Sequence, residues 1–363
     1  MRKFTEAGVL ALLAVAVASV AFGQVKSRFV DGSPMFTTLP PDESVAVAAG
    51  TVATWNGSFV TAGTTYNFAM VGTNPAAGSA TTIIPTVIIP LIFKFSDGTV
   101  LDPTQPACGV TNSPVTSVLN SPIFKSSGFT PGDTFVGNTQ YVDAFQRANF
   151  WNSVSTVSPN YHVLLQNPPL VNPAVTLTVP SSFGTTAAGS CARIGEVSNA
   201  YFKLQLRNLI SGIPSTSLPI FLTYNTFFTQ LGNCCILGFH TVFGSAPNQL
   251  TVSVAAYSDP GIFSVPIEDV HALSHEIGEW MDDPFTNNAT PGWTGGQVSK
   301  CSKILEVGDP VTGIAFTVNM NGMIYHPEDL VFLPWFAKAS APTQSVNGWY
   351  TFLNSFSAPS PTC

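Results

Sequence analysis

Charged residues are scarce in this chain of 363 residues, at 9% of the sequence against about a quarter in typical globular proteins. Lysine and arginine total 13 and aspartate and glutamate total 20, which gives a formal net charge of −7. This acidic balance excludes a nucleic-acid partner, because phosphate contacts need clustered basic side chains. A surface with so few charges must be made polar by serine, threonine, asparagine and glutamine, as is common in exported β-rich proteins.

The sequence also lacks a long apolar run after its N-terminus. The most apolar stretch, Ile83 to Phe95, is too short for a membrane span and is interrupted by two prolines. Residues 1–23, in contrast, contain two basic residues, then an apolar run, and then a cleavage site of small residues before Gln24. This is the pattern of a signal peptide. We therefore predict an extracellular or periplasmic protein with no membrane association after cleavage.

None of the six cysteines has the Cys-x-x-Cys spacing of a structural zinc site. An even number of cysteines in an exported protein predicts disulfides. A bond between the adjacent Cys234 and Cys235 would be strained, so we expect each of them to pair elsewhere. The sequence does not choose among the possible pairings.

The pattern of strands and helices predicts an α+β protein. Residues 24–78 read as a β-rich N-terminal extension, and residues 79–363 as one larger domain with a mixed sheet. Strands are predicted at 83–95, 162–165, 174–179, 201–206, 219–229 and 250–257, a helix at 138–151, and a hairpin at 314–324 that turns at Asn321-Gly322.

A second helix is predicted over residues 266–283, with Ser264 as its N-cap and Pro284 at its end. One side of this helix is apolar, formed by Val270, Leu273, Ile277, Trp280 and Met281. The other side carries only histidines and acids, namely His271, His275, Glu276, Glu279, Asp282 and Asp283. A helix face with histidines and acids but no lysine is more typical of a cation-binding site than of a solvent-exposed surface.

His275 and Glu279 are four residues apart and project side by side, whereas Glu276 leaves the helix about 100° away. This is the geometry of the His-Glu-x-x-His helix, in which two residues hold zinc and the intervening glutamate is the general base. Here Glu279 stands where the second histidine would be. A carboxylate ligand reduces the charge of the site and makes a metal-bound water less acidic.

Further motifs follow the helix: Asp283-Pro284, then Trp293, Cys301 and the run from Glu306 to Asp309. Together with residues 274–279 they resemble a largely uncharacterised group of secreted bacterial proteins regarded as zincin-like metallopeptidases. The resemblance implies a zincin-like domain in which Leu250 to Tyr257, the last strand before the helix, forms the sheet edge that pairs with substrate. Its specific motifs lie within residues 270–335.

The resemblance also implies roles at the site. His275, Glu279 and Glu306 would hold zinc at about 2.0–2.2 Å, with Asp309 as a partner of this set, and Glu276 would take the proton of a metal-bound water. Asp309 could supply the third ligand oxygen in place of Glu306. Manganese or calcium becomes competitive with zinc in a carboxylate-rich site.

The remaining histidines have alternative interpretations. His326 could act on the substrate carbonyl or as a third ligand, or it could simply bond Asp329, and His271 is a further candidate ligand. We interpret His162 and His240 as structural. We interpret Asp282 and Asp283 as residues that cap and buttress the end of the helix, and Asp283 could alternatively orient His275 through the second ring nitrogen.

These observations predict a secreted metal-dependent peptidase acting on peptide or protein substrates. The alternative is a non-enzymatic exported protein that keeps a carboxylate-rich cation site for stability or for binding a partner. The sequence does not indicate the oligomeric state.

Overall fold

The computed structural model describes residues 35–156 and 160–363, so the predicted signal peptide lies outside the described residues. The strands are β1 (Thr54–Thr61), β2 (Thr64–Val71), β3 (Thr81–Ile84), β4 (Thr86–Phe95), β5 (Val100–Leu101), β6 (Ser127–Phe129), β7 (Gly137–Thr139), β8 (His162–Leu165), β9 (Leu170–Val171), β10 (Val175–Val179), β11 (Gly184–Ala188), β12 (Arg193–Ser198), β13 (Leu218–Tyr224), β14 (Thr226–Gln230), β15 (Asn233–Ile236), β16 (Gly238–Phe243), β17 (Leu250–Tyr257), β18 (Ala289–Gly295), β19 (Val298–Ile304), β20 (Val318–Met320) and β21 (Met323–Tyr325). The helices are α1 (Pro114–Asn120), α2 (Tyr141–Asn149), α3 (Trp151–Val154), α4 (Asn199–Leu209), α5 (His271–Asp282) and α6 (Leu333–Phe336). The α+β class is confirmed.

A mixed sheet forms the centre of the fold, with the order β10-β4-β13-β17-β16 and with β5 and β9 also paired to β4. The first four strands of that order are parallel, and β16 runs antiparallel to β17. The strand at 250–257 exists, but it lies inside the sheet between β13 and β16. The expectation that it forms an edge is therefore wrong, because β16 occupies that position.

Alternate residues of the central strands point to two separate hydrophobic clusters, one on each face of the sheet. On β4, Ile88 joins the cluster that contains the apolar side of α5, whereas Val87 and Ile89 join the cluster that contains Phe202 of α4. Residues 201–206, predicted as a strand, belong to α4. The Ser198 side chain caps this helix by accepting from the Tyr201 amide.

Helix α5 begins at His271, later than predicted, and Ser264 is not its cap. Asp269 has a φ of +45°, outside the helical region, and its amide donates to Ser258 at 2.8 Å. The predicted apolar side is buried, from Val270 to Met281. The polar side is buried as well, because α5 packs against β16, β17, α2 and the β1–β2 hairpin.

Helix α2 starts at Tyr141 rather than at residue 138, and a break near Phe150 separates it from α3. Within α2, Asp143 accepts from the Val163 amide at 2.6 Å, and Arg147 donates to the Val136 carbonyl at 2.5 Å. The β20–β21 hairpin turns at Asn321-Gly322, as predicted.

The cysteines form the pairs Cys108–Cys191, Cys234–Cys235 and Cys301–Cys363. The expectation that Cys234 and Cys235 pair elsewhere is wrong, because the other four cysteines bond one another and leave only this adjacent pair. Disulfides are compatible with an oxidising compartment. Over the described ranges, no helix is long and apolar enough to cross a membrane.

Candidate metal centre

The polar side of α5 faces a buried group of acids and histidines. His275, Glu276 and Glu279 each expose 3% or less of their surface, and Glu306 exposes 2%. The turn after β19 brings Glu306 and Asp309 to different parts of this group, and the segment after β21 brings Glu328. The structure therefore gathers the helix residues with both downstream acids of the predicted site.

His275 Nε2 is the centre of this group. It lies 3.1 Å from Glu279 Oε1 and 3.6 Å from Asp309 Oδ1, and it has no hydrogen-bond partner. Two ligands of a tetrahedral zinc, each about 2.1 Å from the ion, are about 3.4 Å apart. The two separations match that value.

The other nitrogen of His275 is fixed by a carboxylate that the sequence reasoning overlooked. Nδ1 lies 2.5 Å from Glu328 Oε2, and the second oxygen of Glu328 is 3.2 Å from His271 Nε2. The backbone of Glu328 is fixed in turn, because its amide donates a hydrogen bond to the Ser274 hydroxyl. Asp283 does not take the alternative role of orienting His275, because its carboxylate accepts from the amides of Asn287 and Asn288 and so stabilises the end of α5, which fits its predicted role at the helix end.

His240, interpreted from the sequence as structural, also borders the site. It lies in β16, and its Nδ1 is 3.4 Å from Glu276 Oε2 and 3.6 Å from Glu279 Oε2. The other nitrogen, Nε2, is 3.2 Å from the Asp283 carbonyl and so carries the proton of the neutral ring. His240 therefore presents a lone pair to the carboxylates. Together with Glu279 and Glu306 it forms a group with ligand-like spacing.

The predicted third ligands separate into different positions. Asp309 approaches His275, whereas Glu306 accepts from the Thr38 hydroxyl and lies beside Glu279 and His240. His326 belongs to another group, where its Nδ1 is 2.7 Å from Asp269 and 3.1 Å from Glu268. The alternative partner of His326, Asp329, bonds Leu330, Leu353 and Ser355 instead.

Burial dominates the electrostatics of the site. Burial raises the pKa of Glu276 well above its usual range. The charge of His275 lowers this pKa, but it does not offset burial and the negative charges of Glu279 and Asp309, which raise it. Burial likewise raises the pKa of Glu306 and Asp309, assisted by the charge of Glu279. Burial would also raise the pKa of Glu279, but the charge of His275, 3.1 Å away, lowers it to about 2.

Among the described residues, no lysine or arginine pairs with these acids, and their ion pairs are formed with histidines alone. His240 Nδ1, His275 Nε2, both oxygens of Glu276 and one of Glu306 are buried without a hydrogen-bond partner. Buried groups of this kind are costly unless a cation or proton satisfies them, so the residues present fit a divalent metal ion.

Comparison with known proteins gives no independent assignment. No protein-family model matches the sequence, and neither a curated protein nor a solved structure is significantly similar to it.

Proposed function

We propose that this protein is a secreted metal-dependent peptidase of the zincin type. The observation that carries the proposal is the position of His275 Nε2, buried without a partner between Glu279 and Asp309 and fixed through Nδ1 by Glu328. The single active-site helix, packed on a mixed sheet with its polar side against downstream carboxylates, supports the zincin-like reading of the sequence motifs.

His275 and Glu279 would hold the metal, with a third oxygen from Asp309, which lies 3.6 Å from His275, or from Glu306, which groups with Glu279. A His-carboxylate set is compatible with zinc, and manganese or calcium are the alternatives because hard ions prefer oxygen ligands. When bound, the ion supplies Lewis-acid chemistry for hydrolysis. Glu306 lies beside this set, within 4.8 Å of Glu279.

Glu276 would be the general base. Its carboxylate lies within 4.8 Å of ligand atoms of His275 and Glu279 and forms no hydrogen bond. A carboxyl group kept in such a buried position holds a proton more tightly than one in water, which suits a group that takes a proton and later returns it to the leaving amine. His240 Nδ1, at 3.4 Å, accepts or shares that proton.

The decisive experiment replaces Glu276 by Gln. We expect metal content, measured by elemental analysis, to stay at the wild-type level and hydrolysis of an unstructured protein to be lost, while His275→Ala loses both. Glu268→Gln is the matched control, because Glu268 lies in the separate group around His326. Wild-type rates in Glu276→Gln would refute the role of Glu276.

A non-enzymatic cation site is the second candidate, favoured by the almost complete burial of the site residues. In that case the wild-type protein would bind a metal and gain thermal stability from it, yet it would cleave nothing in a broad peptide library after loading with zinc, manganese or calcium.

A further inference from the structure

The first described segment of the chain, residues 35–42, runs along the outer edge of β16. It makes parallel bridges from Phe36 to Gly238 and from Asp42 to Phe243. Backbone hydrogen bonds hold both ends: the Leu237 amide donates to Met35 at 2.7 Å and the Gly244 amide donates to Asp42 at 3.0 Å. The segment therefore continues the main sheet past its edge strand, in the way an extended peptide is added to a sheet.

The side chains of the same segment lie directly on the candidate metal centre. The Phe36 ring stacks on the His275 ring with 3.6 Å between centroids and 14° between planes. The Thr38 hydroxyl donates to Glu306. Any molecule that reaches His275 from this side must first displace Phe36, which is itself 1% exposed.

Gln297 forms a second link between residues 35–42 and the candidate metal centre. Its side-chain oxygen accepts from the amides of Met35 and Phe36 at 2.6 and 2.9 Å, and its side-chain nitrogen donates to Asp309. The carbonyl of Phe36 also accepts from this nitrogen, at 3.3 Å. The segment thus offers the site an aromatic ring and a hydroxyl, while the Phe36 carbonyl is engaged by Gln297.

We propose that residues 35–42 are an internal ligand of a peptide-binding edge formed by β16, and that the site opens only when this segment is displaced. The ligand that replaces it is an extended peptide, which takes over the backbone bonds of the edge. This proposal rests on the proposed function in naming that peptide a substrate, but occupation of the edge can be tested without hydrolysis.

The experiment uses the folded protein with a recognition sequence for a specific protease inserted between Ala48 and Ala49, which are both exposed. After cleavage, dissociation of the segment is verified by mass spectrometry after gel filtration. We expect faster hydrogen exchange at the Leu237 and Gly244 amides and, in zinc-loaded protein, release of the metal to a chelator roughly tenfold faster or more, the factor typical of losing a well-packed aromatic anchor.

A synthetic peptide with the sequence of residues 35–42 should reverse both changes, and the same peptide with alanine in place of Phe36 and Thr38 should reverse them less. In the uncut protein, Phe36→Ala should accelerate chelator access, whereas Glu43→Gln, at an exposed position beyond the segment, should leave it unchanged. Because cleavage follows folding, the test does not depend on a variant that fails to fold.

The outcomes separate the two proposals. Unchanged amide exchange after verified loss of the segment would overturn the internal-ligand proposal. Faster exchange and metal release without hydrolysis of any peptide would support the internal ligand and refute the peptidase.

Discussion

An alanine at position 308 would place a methyl group against the ring of His275. The added Cβ would lie 2.3 Å from Nδ1, 2.5 Å from Cε1 and 2.7 Å from Cγ of that ring. Gly308 has a φ of −89° and a ψ of −37°, which alanine adopts freely, so the effect of Gly308→Ala is steric. Carbon contacts are optimal at about 3.5–4.0 Å, so the ring or the turn must move by about 1 Å.

His275 has little room for that movement, since Phe36 stacks on its ring and Glu328 holds Nδ1. Overpacking of this kind costs about 1–3 kcal/mol of folding free energy. A displacement of about 1 Å at a reacting centre costs on the order of 10²-fold in rate. We therefore expect Gly308→Ala to remain folded, to bind metal more weakly and to lose about two orders of magnitude in kcat/KM.

The assay combines chemical denaturation, a metal titration and hydrolysis of an unstructured protein. Gly128→Ala is the matched control, because its Cβ would meet the Phe135 side chain at an ordinary 3.6 Å. Wild-type metal affinity in Gly308→Ala would show that the position of the His275 ring does not determine binding.

Three further changes test other parts of the structure. Glu328→Gln should lower metal affinity by about 10–100-fold, because Glu328 orients His275, and an unchanged titration would remove that role. Replacing Cys108 and Cys191 together by serine opens a disulfide spanning 83 residues and should lower the free energy of unfolding by about 2–5 kcal/mol in urea, whereas no loss would show that the bond is dispensable. A hydrogen bond to a carboxylate raises the pKa of His326, so His326 stabilises the fold below its unfolded pKa of about 6.5 and loses this effect as the pH rises through the folded value. His326→Gln should therefore destabilise the protein more at about pH 6 than at about pH 9, and equal losses would contradict the ion pair.

The local periodicity of the sequence was enough to predict α5 and its buried apolar side, because 3.6-residue spacing reports directly on which residues share a face. The strand at His162–Leu165 and the turn at Asn321-Gly322 were predicted from other local signals, a short β-type run and an Asn-Gly pair. Residues 201–206 were misassigned, since apolar and polar residues alternate from Phe202 to Leu206 as in a strand. The deciding feature, the Ser198 cap, precedes them.

Spacing along the sequence predicted only those site residues that lie on one helix. His275, Glu276 and Glu279 are fixed by spacing along α5, but Glu328 reaches His275 through a long-range contact across 53 residues. His240 lies in a buried strand where an apolar setting suggested a structural role, and only the pairing of β16 with β17 places it opposite Glu276. Contacts of this kind depend on the tertiary arrangement, which spacing does not report.

The disulfide between Cys301 and Cys363 has a consequence for the charge of the site. Glu306, Asp309 and Glu328, the three acids that α5 does not supply, all lie between these two cysteines. The bond closes this stretch into a ring, which lowers the conformational entropy that the stretch would gain by unfolding. When no cation is bound, repulsion among the acids therefore has a smaller entropy gain to assist it in unfolding the stretch that carries them.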